Sequence, residues 1–255
     1  SQFVAPYEYT TANNQTFRDS HEHEDLQLTL AGILQQSSNT GTVQVGELLT
    51  AQQRWEYLDA FGFGESTGVG LSAESPGILH DYQDWDGRTT WAVTYGQGVS
   101  VTALQTSQVY ATIANGGVKV QPTVVKGYQA EDGTFTERET AEPEQVVSKA
   151  TAKKLLLMLE DVTQEGGTGV LAKTGTAEAA GADGRLTSIV ASFVGIAPAD
   201  DPRIVVSVVL QDPHSSIWGG TTAAPVFKDV ATFALQSLRV PPSTSEPTLY
   251  PTTWE

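Results

Sequence analysis

The 255-residue chain contains no cysteine. Disulfides, zinc–thiolate sites and cysteine nucleophiles are therefore excluded. Positive charge is scarce: Lys and Arg total 14 against 30 Asp and Glu, a formal net charge of −16. A chain this acidic repels polyanions. Binding of nucleic acid by phosphate neutralisation is excluded as a function, and docking on an anionic membrane surface is disfavoured. Long apolar runs are missing too. The longest, 189–198, is interrupted by Ser192 and Gly195 and falls short of a bilayer span. Ser1-Gln2-Phe3-Val4 does not read as a signal peptide or anchor, so any targeting segment is expected outside the chain.

What is present suits one large domain or two modest ones. The hydrophobic fraction is 39%, enough for a sizeable core, and 24 Gly with 12 Pro imply many turns. Residues 1–24 are polar and read as irregular. Leu26, Leu28, Leu30, Ile33 and Leu34 suggest a short helix ending at Ser37-Ser38-Asn39, and a second helix is expected from Thr42 to about Ala60. A glycine-rich loop follows, 62–77. Thr102 with Gln105 three residues on is a capping box, opening a helix with Ala103, Ser107, Ala111 and Ala114 on one face. Asn115-Gly116-Gly117 ends it. Asp132-Gly133 marks a hairpin between 124–128 and 134–139. Ser148 caps a helix with Ala152, Leu155, Leu156, Leu159 and Val162 in the 3.6 period, stopped by Gly166-Gly167. Three strands are then expected, 171–178, 188–197 and 203–211, the last two antiparallel across the short turn 198–202. Pro225 fits the first turn of a final helix with Val226, Val230, Phe233 and Ala234 on one face. Residues 241–255 read as an extended tail. This pattern predicts a mixed α/β domain in which helices cover an antiparallel sheet.

Two motifs carry chemistry. Ser37-Ser38-Asn39 is a Ser-x-Asn behind a helix, and Lys173-Thr174-Gly175-Thr176 lies on an expected strand. Taken singly each is ordinary: Ser and Asn favour turns, and a lone Lys-Thr-Gly is common. Together they fit acyl transfer to a serine. That reaction needs a route for the hydroxyl proton, donors for the developing oxyanion and a grip on the peptide. A lysine beside a serine hydroxyl favours proton transfer. Gly175 lets a ligand lie along the strand edge as an added strand. Thr174 and Thr176 offer hydroxyls to a carboxylate, a backbone N–H near Thr176 can serve the oxyanion, and Asn39 can hold a substrate amide.

The combination resembles the class B penicillin-binding proteins, the monofunctional transpeptidases of wall synthesis. Leu28-Thr29-Leu30-Ala31 running to Ser37-Ser38-Asn39-Thr40-Gly41 is similar to their second motif, and Lys173-Thr174-Gly175-Thr176-Ala177 to their third. Phe61-Gly62-Phe63-Gly64 with Thr67-Gly68 and Glu74, Tyr95-Gly96-Gln97-Gly98 with Ile113-Ala114-Asn115-Gly116-Gly117, Ser192-Phe193-Val194-Gly195, and Ala223-Ala224-Pro225-Val226-Phe227 extend the likeness over roughly 16–240. The resemblance implies a penicillin-binding/β-lactamase-like transpeptidase fold over 1–240, N-terminally incomplete, with 241–255 as tail. It implies a membrane-tethered enzyme on the extracytoplasmic face, its anchor outside this chain, cross-linking peptidoglycan stem peptides through a serine acyl-enzyme that β-lactams also form. Divisome or elongation-complex proteins would be partners, and no cofactor is implied. By motif position Ser37 would relay a proton with Lys173, Asn39 would bind the peptide amide, and Thr174 to Thr176 would bind the carboxylate.

The first motif of that family, Ser-x-x-Lys, is missing. No lysine has serine three residues before it. Thr123 to Lys126 and Thr151 to Lys154 match only with threonine and in the wrong order. The nucleophile is therefore expected upstream of Ser1. The short step from the 149–162 helix through Gly166–Gly169 to Lys173 also suggests an omitted segment. A catalytically degenerate scaffold module is the alternative, as is a D,D-carboxypeptidase or β-lactamase-like hydrolase. Other motifs fail. The 167–174 stretch has Ala172 where a P-loop needs glycine. Gly62-Phe63-Gly64 has no strand-to-helix context. His21-Glu22-His23-Glu24-Asp25 reads as a solvated acidic loop rather than a metal site, and Asp212 with His214 lacks a nucleophile elbow.

Overall fold

The computed structural model describes residues 1–163, 171–180, 186–243 and 248–254. The Gly166-Gly167 stop, the Gly166–Gly169 connection and the first half of the P-loop-like 167–174 stretch lie outside the described residues. The elements run β1 (Gln2–Ala5), β2 (Glu8–Thr10), β3 (Thr16–Arg18), β4 (Leu26–Thr29), α1 (Leu30–Gln36), α2 (Asn39–Gly46), α3 (Ala51–Ala60), α4 (Thr89–Ala92) and α5 (Ala103–Ala114). Then come β5 (Val118–Lys119), β6 (Gly127–Gln129), β7 (Phe135–Glu137), β8 (Glu144–Gln145), α6 (Lys149–Asp161), β9 (Leu171–Ala180), β10 (Leu186–Ala197), β11 (Ile204–Gln211) and α7 (Gly219–Ser237).

The centre is a three-stranded antiparallel sheet in the order β11-β10-β9. Its two faces are filled by alternate residues of the same strands. On one side Ile204, Val206, Val208 and Leu210 of β11 and Phe193 of β10 meet Ala223, Phe227 and Ala231 of α7. On the other, Ile196 and Val205 meet Leu34 of α1, Tyr110 and Ala114 of α5, and Leu156 and Leu159 of α6. Helices on both faces explain why β10 and β11 read as nearly unbroken apolar runs. Phe227 sits over Gly195, where an added Cβ would stand 2.5 Å from its ring, and its ring centroid is 4.8 Å from that of Phe193.

Several local expectations need correction. The first 24 residues are not irregular: β1 pairs with β4, and β2 with β3, both antiparallel. Strands of three or four residues are too short to display a period. Leu26 and Leu28 belong to β4, not to the helix, which starts only after Thr29 caps it by accepting the Gly32 N–H. The expected 42–60 helix is two, α2 and α3. Thr50 and Gln53 form a capping box that restarts the chain. On α5 the buried side chains are Gln105, Thr112 and Ile113, while Ala103 and Ala111 are exposed. Pro225 lies inside α7, not in its first turn. The helix begins at Gly219, where a Cβ would stand 2.7 Å from the Gly175 carbonyl oxygen. Pro225 instead removes the bond that would run to the carbonyl of Thr221. The inward stripe of α7 is 223-227-231, and Val226, Val230 and Phe233 face outward.

Other expectations stand. The capping boxes and caps at Thr102 and Ser148, the Asp132-Gly133 hairpin and the antiparallel β10–β11 pair are all present. Residues 241–243 and 248–254 carry no helix or strand, but the tail docks. Leu28 bridges Thr253, Thr29 donates to the Thr252 and Pro251 carbonyls, and Trp254 Nε1 donates to the Phe3 carbonyl. No described helix is long and apolar enough to cross a membrane.

Phe227→Ala should lower unfolding free energy by about 3–5 kcal/mol, because its seat over Gly195 cannot collapse to fill the void. Urea denaturation checks this; a loss below about 1 kcal/mol would show that the β10–α7 layer repacks.

Candidate active site

The site begins with a sharp reversal of the chain. Ser37 closes α1 in the left-handed region, φ 55° and ψ 36°, with its N–H turned back to the last carbonyls of the helix. A non-glycine residue there is strained, which marks the position. Ser38 then starts α2 at once, its hydroxyl accepting the Gly41 N–H. Ser-Ser-Asn is thus a junction of two helices. Gly41 makes it tight, since a Cβ there would stand 2.8 Å from Ile33. Asn39, in the first turn of α2, donates from Nδ2 to the Arg18 carbonyl at 3.0 Å, which fixes its amide.

β9 supplies the opposite wall. Its Lys173 Nζ hydrogen-bonds Ser37 Oγ and also donates to the Thr174 carbonyl at 3.2 Å. Burial pushes the Lys173 amine down to about 8. Near neutral pH the group therefore exists partly as a free amine able to take a proton. The Thr176 hydroxyl donates to the Ile217 carbonyl at 3.3 Å. Gly175 has a packing reason besides the one expected for it: a Cβ there would stand 2.5 Å from Ser192 Oγ on β10.

All six residues singled out in the sequence, Ser37, Asn39, Lys173, Thr174, Gly175 and Thr176, line one open cleft of about 700 Å³. The structure adds His21, Tyr95 and Trp218 to its rim. Tyr95 lies in the Tyr95-Gly96-Gln97-Gly98 segment, which marks it in the sequence without showing its part in the cleft. Its hydroxyl pKa is raised by burial, and its ring stands edge-on to Phe17 at 5.9 Å. Nothing local in the sequence points to Trp218, which stands just before α7. His21–Asp25 is not wholly a solvated loop: His23 turns inward and meets Asp19 at 3.0 Å. Asp212 serves the sheet, its carboxylate accepting the Ile189 N–H at 3.1 Å.

Residues 1–232 match the family model of the penicillin binding protein transpeptidase domain. The chain belongs to this family. It is 37% identical over 246 residues to penicillin-binding protein PbpB of Mycolicibacterium smegmatis, covering 89% of this chain and 38% of the relative. Peptidoglycan D,D-transpeptidase FtsI of Escherichia coli K12 is 32% identical over 239 residues, covering 88% and 39%. The fold superposes on penicillin binding protein 3 from Mycobacterium tuberculosis, complexed with aztreonam, with a TM-score of 0.89 at 32% identity, covering 100% of this chain and 60% of that one. The chain thus spans about two-fifths of the length of these curated relatives. The mixed α/β penicillin-binding transpeptidase fold expected from the motifs is the fold observed.

Lys173 yields a pH test with a definite sign. Its amine releases a proton at about 8 when folded and at the ordinary 10.5 when unfolded. Between those values the unfolded chain holds more protons, so folded stability rises with pH across that window. Lys173→Met removes this gain. Urea unfolding at pH 7, 8.5 and 10 should show the wild type gaining on the variant; parallel profiles would contradict a lowered lysine.

Proposed function

We propose that this chain supplies two walls of a peptidoglycan D,D-transpeptidase site, with residues 1–240 forming an N-terminally incomplete transpeptidase domain and 241–255 its tail. The observation that carries the reading is the Lys173–Ser37 contact in a cleft that also holds Asn39 and Thr176. Such a pair suits proton relay. A serine hydroxyl attacks the carbonyl of a terminal D-alanyl bond. Lys173 and Ser37 pass protons between the attacking oxygen and the leaving amine, the C–N bond breaks, and D-alanine departs. An acceptor amine then takes the acyl group and the serine recovers its proton. Asn39 holds the donor peptide's amide. Thr174 and Thr176 hold its terminal carboxylate, the Thr176 hydroxyl turning from Ile217 to do so. β-Lactams, which share the amide and carboxylate, would acylate the same serine. The attacking serine comes from a Ser-x-x-Lys segment, which these 255 residues do not contain. The working surface would be the extracytoplasmic face of the cell membrane, with divisome or elongation-complex proteins as neighbours.

Labelled penicillin tests this directly. The 255-residue chain should show no covalent mass shift. A polypeptide in which it is continuous with a Ser-x-x-Lys segment should be labelled stoichiometrically, and Lys173→Ala in it should slow acylation by about 10²–10⁴-fold. Labelling of the short chain would place the nucleophile within it. Failure to label the longer one would favour a non-catalytic scaffold module.

A further inference from the structure

We propose that Asp19 and a doubly protonated His23 are positioning residues that hold the Ser37-Ser38-Asn39 junction in its working geometry; the positioning role rests on the function proposed above, the geometry does not.

Asp19 follows β3 directly and reaches the start of α2. Its Oδ2 accepts the Ser38 hydroxyl at 2.8 Å and its Oδ1 accepts the Thr40 N–H at 2.9 Å. Next to it, the Arg18 carbonyl accepts from Asn39 Nδ2. Two consecutive residues thus grip three consecutive residues at the start of α2, Ser38 to Thr40, two of them in the junction. The Asp19 side chain is only 6% exposed, and a buried carboxylate needs a counter-charge or a full set of donors. Arg18, the adjacent cation, is bound to Glu8 at 2.5 Å. The counter-charge at Asp19 comes from His23.

Both ring nitrogens of His23 face oxygen acceptors. Nε2 lies 3.0 Å from Asp19 Oδ2, and Nδ1 lies 2.7 Å from the Glu24 carbonyl. A carbonyl and a carboxylate can only accept, so both nitrogens must donate, and a neutral imidazole has one N–H. The geometry therefore requires the imidazolium. The groups around it agree. Asp19 and Asp25 add favourable charge, and the pKa is raised first by the Glu24 carbonyl and, against burial, by Asp19. Tyr7 stands edge-on at 6.1 Å and His21 edge-on at 5.7 Å. Among the described residues, no lysine or arginine side chain contributes to the shift.

The raised histidine contributes its full stabilisation at low pH and loses it as pH rises through its folded midpoint. Deprotonation turns one N–H into a lone pair facing an oxygen, and Asp19 loses its counter-charge. The grip on Ser38 and Thr40 then loosens, one step from Ser37 itself.

Long-range ¹H–¹⁵N spectra of the 255-residue chain test this without any acylation, so the outcome is independent of whether the transpeptidase reading holds. His23 should show two protonated ring nitrogens at pH 6.5 and a midpoint above the ordinary histidine value. The backbone amides of Ser37 to Thr40 should move with that same midpoint. Asp19→Asn should shift the midpoint downward, and His23→Gln should abolish the coupled amide shifts. A neutral His23 tautomer at pH 6.5, or junction amides that ignore its titration, would overturn the proposal. If Asp19→Asn does not fold, the wild-type titration and His23→Gln decide alone.

Discussion

Lys173 and Ser37 are 136 positions apart, and joining them constrains both parts of the fold. The lysine must lose water without gaining an anion, so its strand needs support from other sources. β9 obtains this by pairing along its length with β10, which is packed on both faces. The serine must leave a helix in a direction that helical geometry forbids. It does so through a left-handed turn that a second helix immediately captures. Each partner is thus held at an unfavourable position by regular structure behind it. A site built this way depends less on the cleft surface than on the rigidity of α1, α2 and β9.

The sheet was the legible part of the fold. β10 and β11 are long, apolar and separated by a Pro-Asp turn, so period, length and turn chemistry agreed. The N-terminal strands were illegible because each is too short to show alternation, and β1 finds its partner, β4, only across the β2–β3 hairpin. α7 turns inward a different face from the one its apolar pattern suggests, for a specific reason. Its largest apolar stripe, Val226-Val230-Phe233, is not the one that meets the sheet. The sheet offers a hollow at Gly195, and Ala223 and Ala231 let the helix come close enough for Phe227 to fill it. Counting apolar side chains could not reveal that the small ones mattered.

The six motif residues were legible because they fall in two short motifs of restricted residue type, one at a helix end and one on a strand. What surrounds them was not. Trp218 reaches the cleft through the β11–α7 connection, and Asp19 reaches the junction through β3, neither as part of a motif. Asp19 and His23 carry little signal in an acidic stretch, since a carboxylate among carboxylates looks solvated until its partners are known.

The docking of the tail has a kinetic meaning. Thr29, the residue that caps α1, hydrogen-bonds Pro251 across 222 positions, and Trp254 closes on Phe3 across 251. Pairings between such distant points must overcome loop-closure entropy before their contacts contribute. On a ribosome, which releases residues in order, the Thr29 contact cannot form until Pro251, 222 positions later, has emerged. The helix that presents Ser37 therefore has its cap residue tied to a segment made long after it.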